Sequence, residues 1–465
     1  MTTLSVDTTT LASPASPPVA TGEAPSFSLA GTPEPPRRVL MKGNEAIAEA
    51  AIQAGCDAYF GYPITPQAEL LEWMARRMPE EGRTFIQAES ELGAINMALG
   101  AAAAGARVLV SSSSPGISLM AEAMSYMAGS EVPMVLINVM RGGPGLGSIQ
   151  PSQSDYFQAV KGHGHGDYRV PVLAPSSIGE AMELVATAFE LAERYRTPAM
   201  MLADGILGQA MEPVDLRFRT PERVEAPWAL TGADGRPPRV IRSLHLQPED
   251  LEEHNLHLQE KYHAISEREV RWAGERLDDA ELVVVAYGIA ARVARTAVAR
   301  ARASGIRAGL FRPISLWPFP SDQLAELAGR VRGMLVVELS AGQMVEDVRL
   351  AVEGRVPVAF DGRTGGMVPS PDEVVEALRE LDATGVSARR SRRARRRQPG
   401  PVSGAEHLHP RQPLPEAESG HEALSIFGDD AWMPLWYTVP VPTRRGHDGS
   451  GRGRRGPAGR AGGKR

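Results

Sequence analysis

The sequence predicts an α/β fold: a doubly wound parallel-sheet domain, then a second α/β unit, with disordered extensions at both ends. Three observations carry that expectation. Short apolar runs alternate with segments of helical periodicity over 37–215 and again over 281–381. Thr-Pro and Ser-Pro pairs open predicted helices directly after predicted strands. Hydrophobic periodicity is lost before residue 37 and beyond 381.

Taken in order, residues 1–36 are rich in Thr, Ser, Ala and Pro and read as a disordered leader. Order begins at "RRVLMKGNEAIAEAAIQAG", where apolar positions recur at helical spacing. The strand "DAYFGYP" leads into the helix "TPQAELLEWMARRM", with Thr65 as N-cap and Pro66 at the first helical position. "TFIQAE" leads into a helix from Ser90, and "RVLVSSS" into "PGISLMAEAMSYMAG", with Ser114 as cap and Pro115 next. "PMVLINVM" ends in a long glycine-rich loop, "RVPVLAP" precedes a helix over about 176–195, and "PAMMLAD" closes the set. Such alternation implies a parallel sheet covered by helices on both faces, with ligands at the carboxyl ends of its strands.

Residues 216–280 break the pattern with a linker-like stretch and a long charged helix, "PEDLEEHNLHLQEKYHAISEREVRW". The second α/β set, 281–381, runs "ELVVVAYG", an Ala/Arg helix, "RAGLFRPISLWPFP", "GMLVVELS", "VPVAFDGR" and "SPDEVVEALREL". From 382 to 465 the chain is a disordered basic tail, with one apolar island at "IFGDDAWMPLWYTVPVP".

Bulk properties narrow the function. The 465 residues are 43% hydrophobic, enough for a sizeable core, and the net charge of −6 favours neither nucleic acid nor membrane as a partner. The single cysteine, Cys56, allows no internal disulfide and fits a reducing cytoplasm. It also excludes an iron–sulfur cluster ligated by this chain alone, since such a cluster needs about four cysteines. The opening residues lack a positive n-region and an apolar core, so no secretory signal is expected, and no apolar run is long enough to span a bilayer.

Four clusters fall at successive strand ends: "GYPITPQ", "ESELGA", "SSSSPG" and "RGGPGLGSIQPSQSD". Each alone has a plain explanation in capping or turn formation. Four together at the carboxyl edge of one sheet indicate a site. Familiar nucleotide motifs do not fit: "GGPGLGS" lacks the GxGxxG spacing, and there is no P-loop. "ADGILG" resembles the GDG of thiamine-diphosphate enzymes but lacks the downstream Asn, and reads as a strand-end turn. "KGHGHGDYR" sets His163, His165 and Asp167 close together, but alternating glycines leave ligand geometry loose and no second cluster adds ligands, so no metal site is assigned. Within "ESELGA", Glu89 and Glu91 stand at the mouth of an alanine-rich helix, where an ionised group is costly unless solvated, paired or liganded.

The runs "MKGNEAIAEAAIQAGCDAYFGYPITPQ", "QAESELGAINMALGAAAAGARVLVSSSSPGISL" and "NVMRGGPGLGSIQPSQSDYFQAVKGHGHGDYR" closely resemble the alpha-type subunit of 2-oxoacid:ferredoxin oxidoreductases, in particular the 3-methyl-2-oxobutanoate (2-oxoisovalerate) kind. "WALTG", "EEHNLHLQEKY", "FRPISLWPFP" and "GQMVEDVRLAVEG" extend the likeness over about 39–381, leaving the leader and tail outside it.

The resemblance implies a pyrimidine-binding domain of the thiamine-diphosphate-enzyme fold over 37–215 and a transketolase C-terminal-like domain over 281–381. It implies a cofactor lying between chains, with the diphosphate and its magnesium held by a beta-type subunit. Glu91 then hydrogen-bonds N1′ of the aminopyrimidine and promotes its imino tautomer, while Glu89 stays solvated or paired. Desolvation raises a carboxyl pKa in the direction such proton sharing requires. Ser113 and Ser114 become cofactor-side residues, Arg141 the clamp for the substrate carboxylate, and Thr65 a substrate-side hydroxyl. Electrons leave through iron–sulfur clusters on a ferredoxin-like subunit to ferredoxin, a gamma subunit completes the complex, and coenzyme A takes the acyl group. Alternatives are the 2-oxoglutarate-specific form, a non-catalytic scaffolding subunit of the same fold, and a nucleic-acid-binding protein resting on the arginine tail alone.

Overall fold

A computed structural model describes residues 38–217 and 220–384. The leader and the tail beyond 384 lie outside the described residues.

The first sheet has seven strands. From one edge to the other they are Ser315–Trp317, Val172–Leu173, Pro198–Asp204, Met134–Met140, Val108–Ser112, Ala58–Gly61 and Thr84–Gln87. All neighbours are parallel except the pair formed by Ser315–Trp317. The central strands Met134–Met140 and Pro198–Asp204 are buried along their whole length, as expected for a parallel sheet with both faces covered.

Alternation sends Leu109, Val135, Ile137 and Met201 to the face covered by helices Gly43–Gln53 and Ile178–Tyr195. Val110, Leu136, Met200 and Leu202 point to the other face, under helices Glu91–Ala103 and Ser114–Gly129. That second core is continuous with Val283, Phe311 and Val336 of the second sheet, so the two sheets share buried apolar surface.

The second sheet has five strands in the order Val358–Gly362, Gly333–Glu338, Leu282–Val285, Ala308–Pro313 and Trp272–Glu275, the last pair antiparallel. Helix Pro248–Arg268 is mostly solvated; it buries Leu258, Tyr262 and Ile265, which follow helical spacing on one face, and adds polar contacts such as Lys261 to Glu131 at 3.0 Å. No helix among the described residues is long and apolar enough to cross a membrane.

Several local expectations are corrected. "RVLMK" is a strand, Arg38–Lys42, because Met211–Asp215 supplies an antiparallel ladder to it, and the helix starts only at Gly43. A Cβ at Gly43 would lie 1.9 Å from the Leu207 carbonyl oxygen, so a glycine is required at this junction.

Thr65 is not a helix cap. The helix is Ala68–Glu80 with Gln67 at the cap position, and the Pro66 carbonyl accepts from the Asn44 and Gln209 side chains at 2.7 and 2.9 Å. Ser114 is already helical, and Ser113 in extended conformation precedes it. "ADGILG" is a short helix, Gly205–Gln209, because Asp204 Oδ1 accepts from the Leu207 amide at 3.0 Å.

"RAGLFRPISLWPFP" is two strands in two sheets. The chain turns at Ile314, whose carbonyl accepts from Ala174 N at 2.8 Å, and Ser315–Trp317 joins the edge of the first sheet. Trp272–Glu275, from the stretch read as linker, joins the second sheet. The last helix, Pro371–Thr384, runs slightly past the 381 boundary.

Candidate active site

The loops carrying Thr65, Ser112 to Ser114, Arg141 to Asp155 and Gly205 to Gln209 all leave carboxyl ends of the first sheet, the edge where open parallel sheets bind ligands.

Glu91 is the first residue of its helix, held there by Ser90, whose hydroxyl accepts from the Gly93 amide at 3.0 Å. A carboxylate in the first helical turn is favoured by the helix dipole. Yet Glu91 is only 6% exposed and has no hydrogen-bond or ion-pair partner among the described residues. Its carboxyl group lies against Gly116: a Cβ there would stand 2.5 Å from Glu91 Oε1 and 2.1 Å from Ser112 Oγ. Gly116 thus leaves the space in which the carboxyl and the serine loop meet. The hydroxyls of Ser112 and Ser113 are buried and unpartnered among the described residues, at about 1–3 kcal/mol each if nothing else meets them. Glu89, by contrast, is exposed and folds back over Gly93.

Arg141 closes the strand Met134–Met140 and is 7% exposed. Its Nη1 donates to the Thr65 carbonyl at 3.0 Å and its Nη2 to the Leu146 carbonyl at 3.3 Å, while Nε is buried and unpartnered. No carboxylate among the described residues pairs with it. A buried guanidinium lacking a counter-charge is costly, and an anion is what it lacks. The structure joins Arg141 to Thr65 through the Thr65 backbone carbonyl, and the Thr65 side chain is exposed.

The glycine-rich loop is pinned at its neck. Gly142 N donates to Gln150 O at 2.9 Å and Arg141 bridges to Pro151. Gly147, at φ +60°, approaches Gly142 so closely that a Cβ would lie 1.8 Å from its carbonyl oxygen.

Ser114 is committed inside the chain. Its hydroxyl accepts from Arg141 N at 3.0 Å and donates to Asp155 Oδ2 at 2.5 Å, and the Asn138 amide donates to the same carboxylate oxygen at 2.9 Å. The single Ser114 proton is thus committed inside the chain and one lone pair is left, so any contact of Ser114 with a cofactor would be as an acceptor. Burial pushes the Asp155 carboxyl above its ordinary range, against the two donated hydrogen bonds.

Asp155 was missed by sequence reading, although it closes the "SQSD" run just before helix Tyr156–Lys161. Gln67 was missed as well. It accepts from Ser111 Oγ at 2.7 Å, which in turn lies 2.7 Å from Tyr59 Oη, forming a buried polar chain beneath the serine loop.

An open cavity of about 590 Å³ is lined by Thr65, Glu69, Ile149, Gln150, Ile206 and Gln209, among others. It adjoins the Thr65 side of the site but takes in neither Glu91 nor Arg141. Against the second sheet, Gln153 donates to Tyr287 O at 2.9 Å and accepts from Leu339 N at 3.0 Å, while Asp204 accepts from Ile289 N at 2.9 Å.

The histidine run does not gather ligands. Burial pushes His163 down to about 4, and His165 packs edge-on against Tyr126. Among the described residues no group of three or more His, Cys, Asp or Glu side chains is placed to hold a metal. Cys56 is buried and its thiol is pushed up to about 12 by burial, which leaves it unreactive.

Residues 49–272 match the family model of the thiamine-diphosphate-binding domain of pyruvate flavodoxin/ferredoxin oxidoreductases, and residues 280–374 match core domain II of pyruvate:ferredoxin oxidoreductase. The chain is 51% identical over 343 residues to the ketoisovalerate oxidoreductase subunit VorB of Methanothermobacter thermautotrophicus, covering 74% of this chain and 97% of that subunit. It is 35% identical over 367 residues to the 2-oxoglutarate synthase subunit KorA of Methanothermobacter marburgensis, covering 73% and 98%. Among solved structures it is similar to a 2-oxoglutarate:ferredoxin oxidoreductase from Magnetococcus marinus with 2-oxoglutarate, coenzyme A and succinyl-CoA bound. That match has a TM-score of 0.69 and 26% identity, and covers 76% of this chain and 67% of that one.

Proposed function

The chain belongs to the pyruvate flavodoxin/ferredoxin oxidoreductase family, and on that premise we propose that it is the alpha-type subunit of a branched-chain 2-oxoacid:ferredoxin oxidoreductase. The complex oxidatively decarboxylates 2-oxoisovalerate to an acyl-CoA with thiamine diphosphate and passes the electrons to ferredoxin. The substrate choice follows the relatives, since the ketoisovalerate subunit is far more similar to this chain than the 2-oxoglutarate subunits. Residues 37–215 serve as the pyrimidine-binding unit and 281–381 as the transketolase C-terminal-like unit.

One observation carries the reading: a buried, partnerless carboxyl beside two orphaned hydroxyls, with an unpaired buried guanidinium at a neighbouring strand end of the same sheet. The donor set fits an aminopyrimidine, which offers a ring nitrogen to a carboxylic acid and polar edges to hydroxyls. Glu91 holds a proton at the pyrimidine N1′, and Ser113 is the hydroxyl turned to the cofactor side. When bound, thiamine diphosphate supplies the nucleophilic carbon and the electron sink for decarboxylation. Arg141 receives the 2-oxoacid carboxylate through two charge-assisted hydrogen bonds, and the Thr65 hydroxyl stands on the substrate side. Burial of Arg141 strengthens the attraction by excluding water.

A beta-type subunit with the diphosphate and magnesium, a gamma subunit and a ferredoxin-like iron–sulfur subunit complete the complex. The purified chain alone is then catalytically silent. Robust viologen-dye reduction with 2-oxoacid and no partner would overturn the assignment.

The clamp has its own test. Lysine is a point charge and cannot reproduce the guanidinium fork. In the reconstituted complex, Arg141→Lys should lower kcat/KM about ten- to a hundredfold, the cost of about one charged hydrogen bond. The loss should be common to 2-oxoisovalerate, pyruvate and 2-oxoglutarate, because all carry the same carboxylate, and 2-oxoisovalerate should stay first in rank. If 2-oxoglutarate alone suffers, Arg141 reads a distal carboxylate and the 2-oxoglutarate form is the better reading.

A further inference from the structure

We propose that Asp155, acting through the Ser114 hydroxyl, is a positioning residue that fixes the aim of Arg141 at the substrate carboxylate. The inference rests on the clamp role of Arg141 given above and adds to it a device that no part of the reaction itself requires.

The geometry is a three-way tie. Ser114 opens helix Ser114–Gly129, Arg141 ends strand Met134–Met140, and Asp155 lies past the glycine-rich loop. One hydroxyl joins them: it accepts the Arg141 amide at 3.0 Å and donates to Asp155 Oδ2 at 2.5 Å. Asn138, on the same strand as Met140, donates to that carboxylate oxygen at 2.9 Å. Asp155 has no ion-pair partner among the described residues, so its carboxylate is shared only by the Ser114 hydroxyl and the Asn138 amide.

The consequence for the guanidinium is mechanical. Its two Nη atoms rest on loop carbonyls, Thr65 O at 3.0 Å and Leu146 O at 3.3 Å. Both carbonyls belong to segments outside regular structure, and the seven residues between Gly142 and Gln150 are tied by backbone bonds at Gly142, to Ser148 N and Gln150 O, and by the Arg141 fork at Leu146. Among the described residues the Ser114 hydroxyl is the one hydrogen-bond partner tying the Arg141 backbone to a helix, beside its bridge to Pro151 in the loop neck, and Asp155 fixes which way that hydroxyl points. Without the carboxylate, the hydroxyl can rotate to the Arg141 carbonyl, 3.2 Å away, and its lone pair turns from the amide. The strand end then loosens and the fork no longer meets a planar carboxylate squarely.

Steady-state kinetics of the reconstituted complex test this. Asp155→Ala and Ser114→Ala should each raise KM for 2-oxoisovalerate about tenfold while changing kcat less than about threefold, as expected for a misdirected charged hydrogen bond. Asp155→Asn, which keeps an acceptor oxygen, should restore most of the loss. In an Arg141→Lys background neither change should add more than about twofold, because residues acting through one group are not additive. Ser114→Ala, a small change at a half-buried site, keeps the test decisive if Asp155→Ala fails to assemble.

A full multiplicative loss in the Arg141→Lys background overturns the proposal, since Asp155 would then act independently of the clamp. An unchanged KM in both single variants, beside a raised KM in Arg141→Lys, sinks this inference and leaves the clamp standing. If Arg141→Lys itself leaves KM unchanged, the clamp falls and the positioning role falls with it.

Discussion

Glu91→Gln in the assembled complex is expected to cut turnover about 10²–10⁴-fold, the range for a positioned acid–base group, with folding and subunit assembly intact. Glutamine keeps the length and shape of the side chain and can still fill the space over Gly116, where a Cβ would stand 2.5 Å from Glu91 Oε1. It cannot hold and release a proton. The neighbouring Glu89 is solvated and shares no contact with the serine loop, so Glu89→Gln should change turnover less than about threefold, as surface changes usually do. Circular dichroism and co-purification of partners separate a chemical defect from a structural one. Equal losses at Glu89 and Glu91 would show that the helix mouth, rather than one carboxyl, is what matters.

The second large effect concerns stability. Arg107, which leads into strand Val108–Ser112, is 4% exposed. It is clamped by Glu193 through Nε at 2.5 Å and Nη2 at 2.7 Å, and also donates to the Ala54 carbonyl. Glu193→Ala leaves that guanidinium buried without its bidentate partner, which typically costs about 3–5 kcal/mol. The lower end is expected, because the Asp57 carboxylate accepts the Arg107 amide at 2.7 Å and remains nearby. Urea unfolding of the chain measures it, with the exposed Glu183→Ala on the same helix as control, expected within about 0.5 kcal/mol of wild type. A Glu193→Ala midpoint indistinguishable from that control would mean that the pair contributes no net stability. The consequence reaches the site, since the strand that Arg107 anchors delivers Ser112 and Ser113.

Much of this protein was legible in one dimension. Buried parallel strands read as short unbroken apolar runs, as "PMVLINVM" and "PAMMLAD" do, and amphipathic helices follow them at regular spacing. The order of those segments placed Thr65, Glu91, Ser113 and Arg141 at one sheet edge, because in a parallel sheet every carboxyl end faces the same way. Which glutamate enters the helix was legible too, since Ser90 is a strong N-cap, whereas the cofactor role of Glu91 came from the family resemblance alone.

What the tertiary structure decided was every matter of partnership across sequence distance. No periodicity says that "RVLMK" is a strand; its partner, Met211–Asp215, supplies the ladder from across the domain. Nor does composition say that "FRPISLWP" splits, sending Ser315–Trp317 to the edge of the first sheet, because an edge strand needs only a free row of backbone groups beside it. Thr65 lost its capping role when Asn44 and Gln209 took up the neighbouring Pro66 carbonyl. The Ser114 hydroxyl is drawn to Asp155 and Arg141 because it has one proton to give, and a carboxylate 41 residues away accepts it. Local propensity and patterning set the elements and their edge of the sheet; hydrogen-bond competition among residues far apart in sequence set which side chains remain free to meet a ligand.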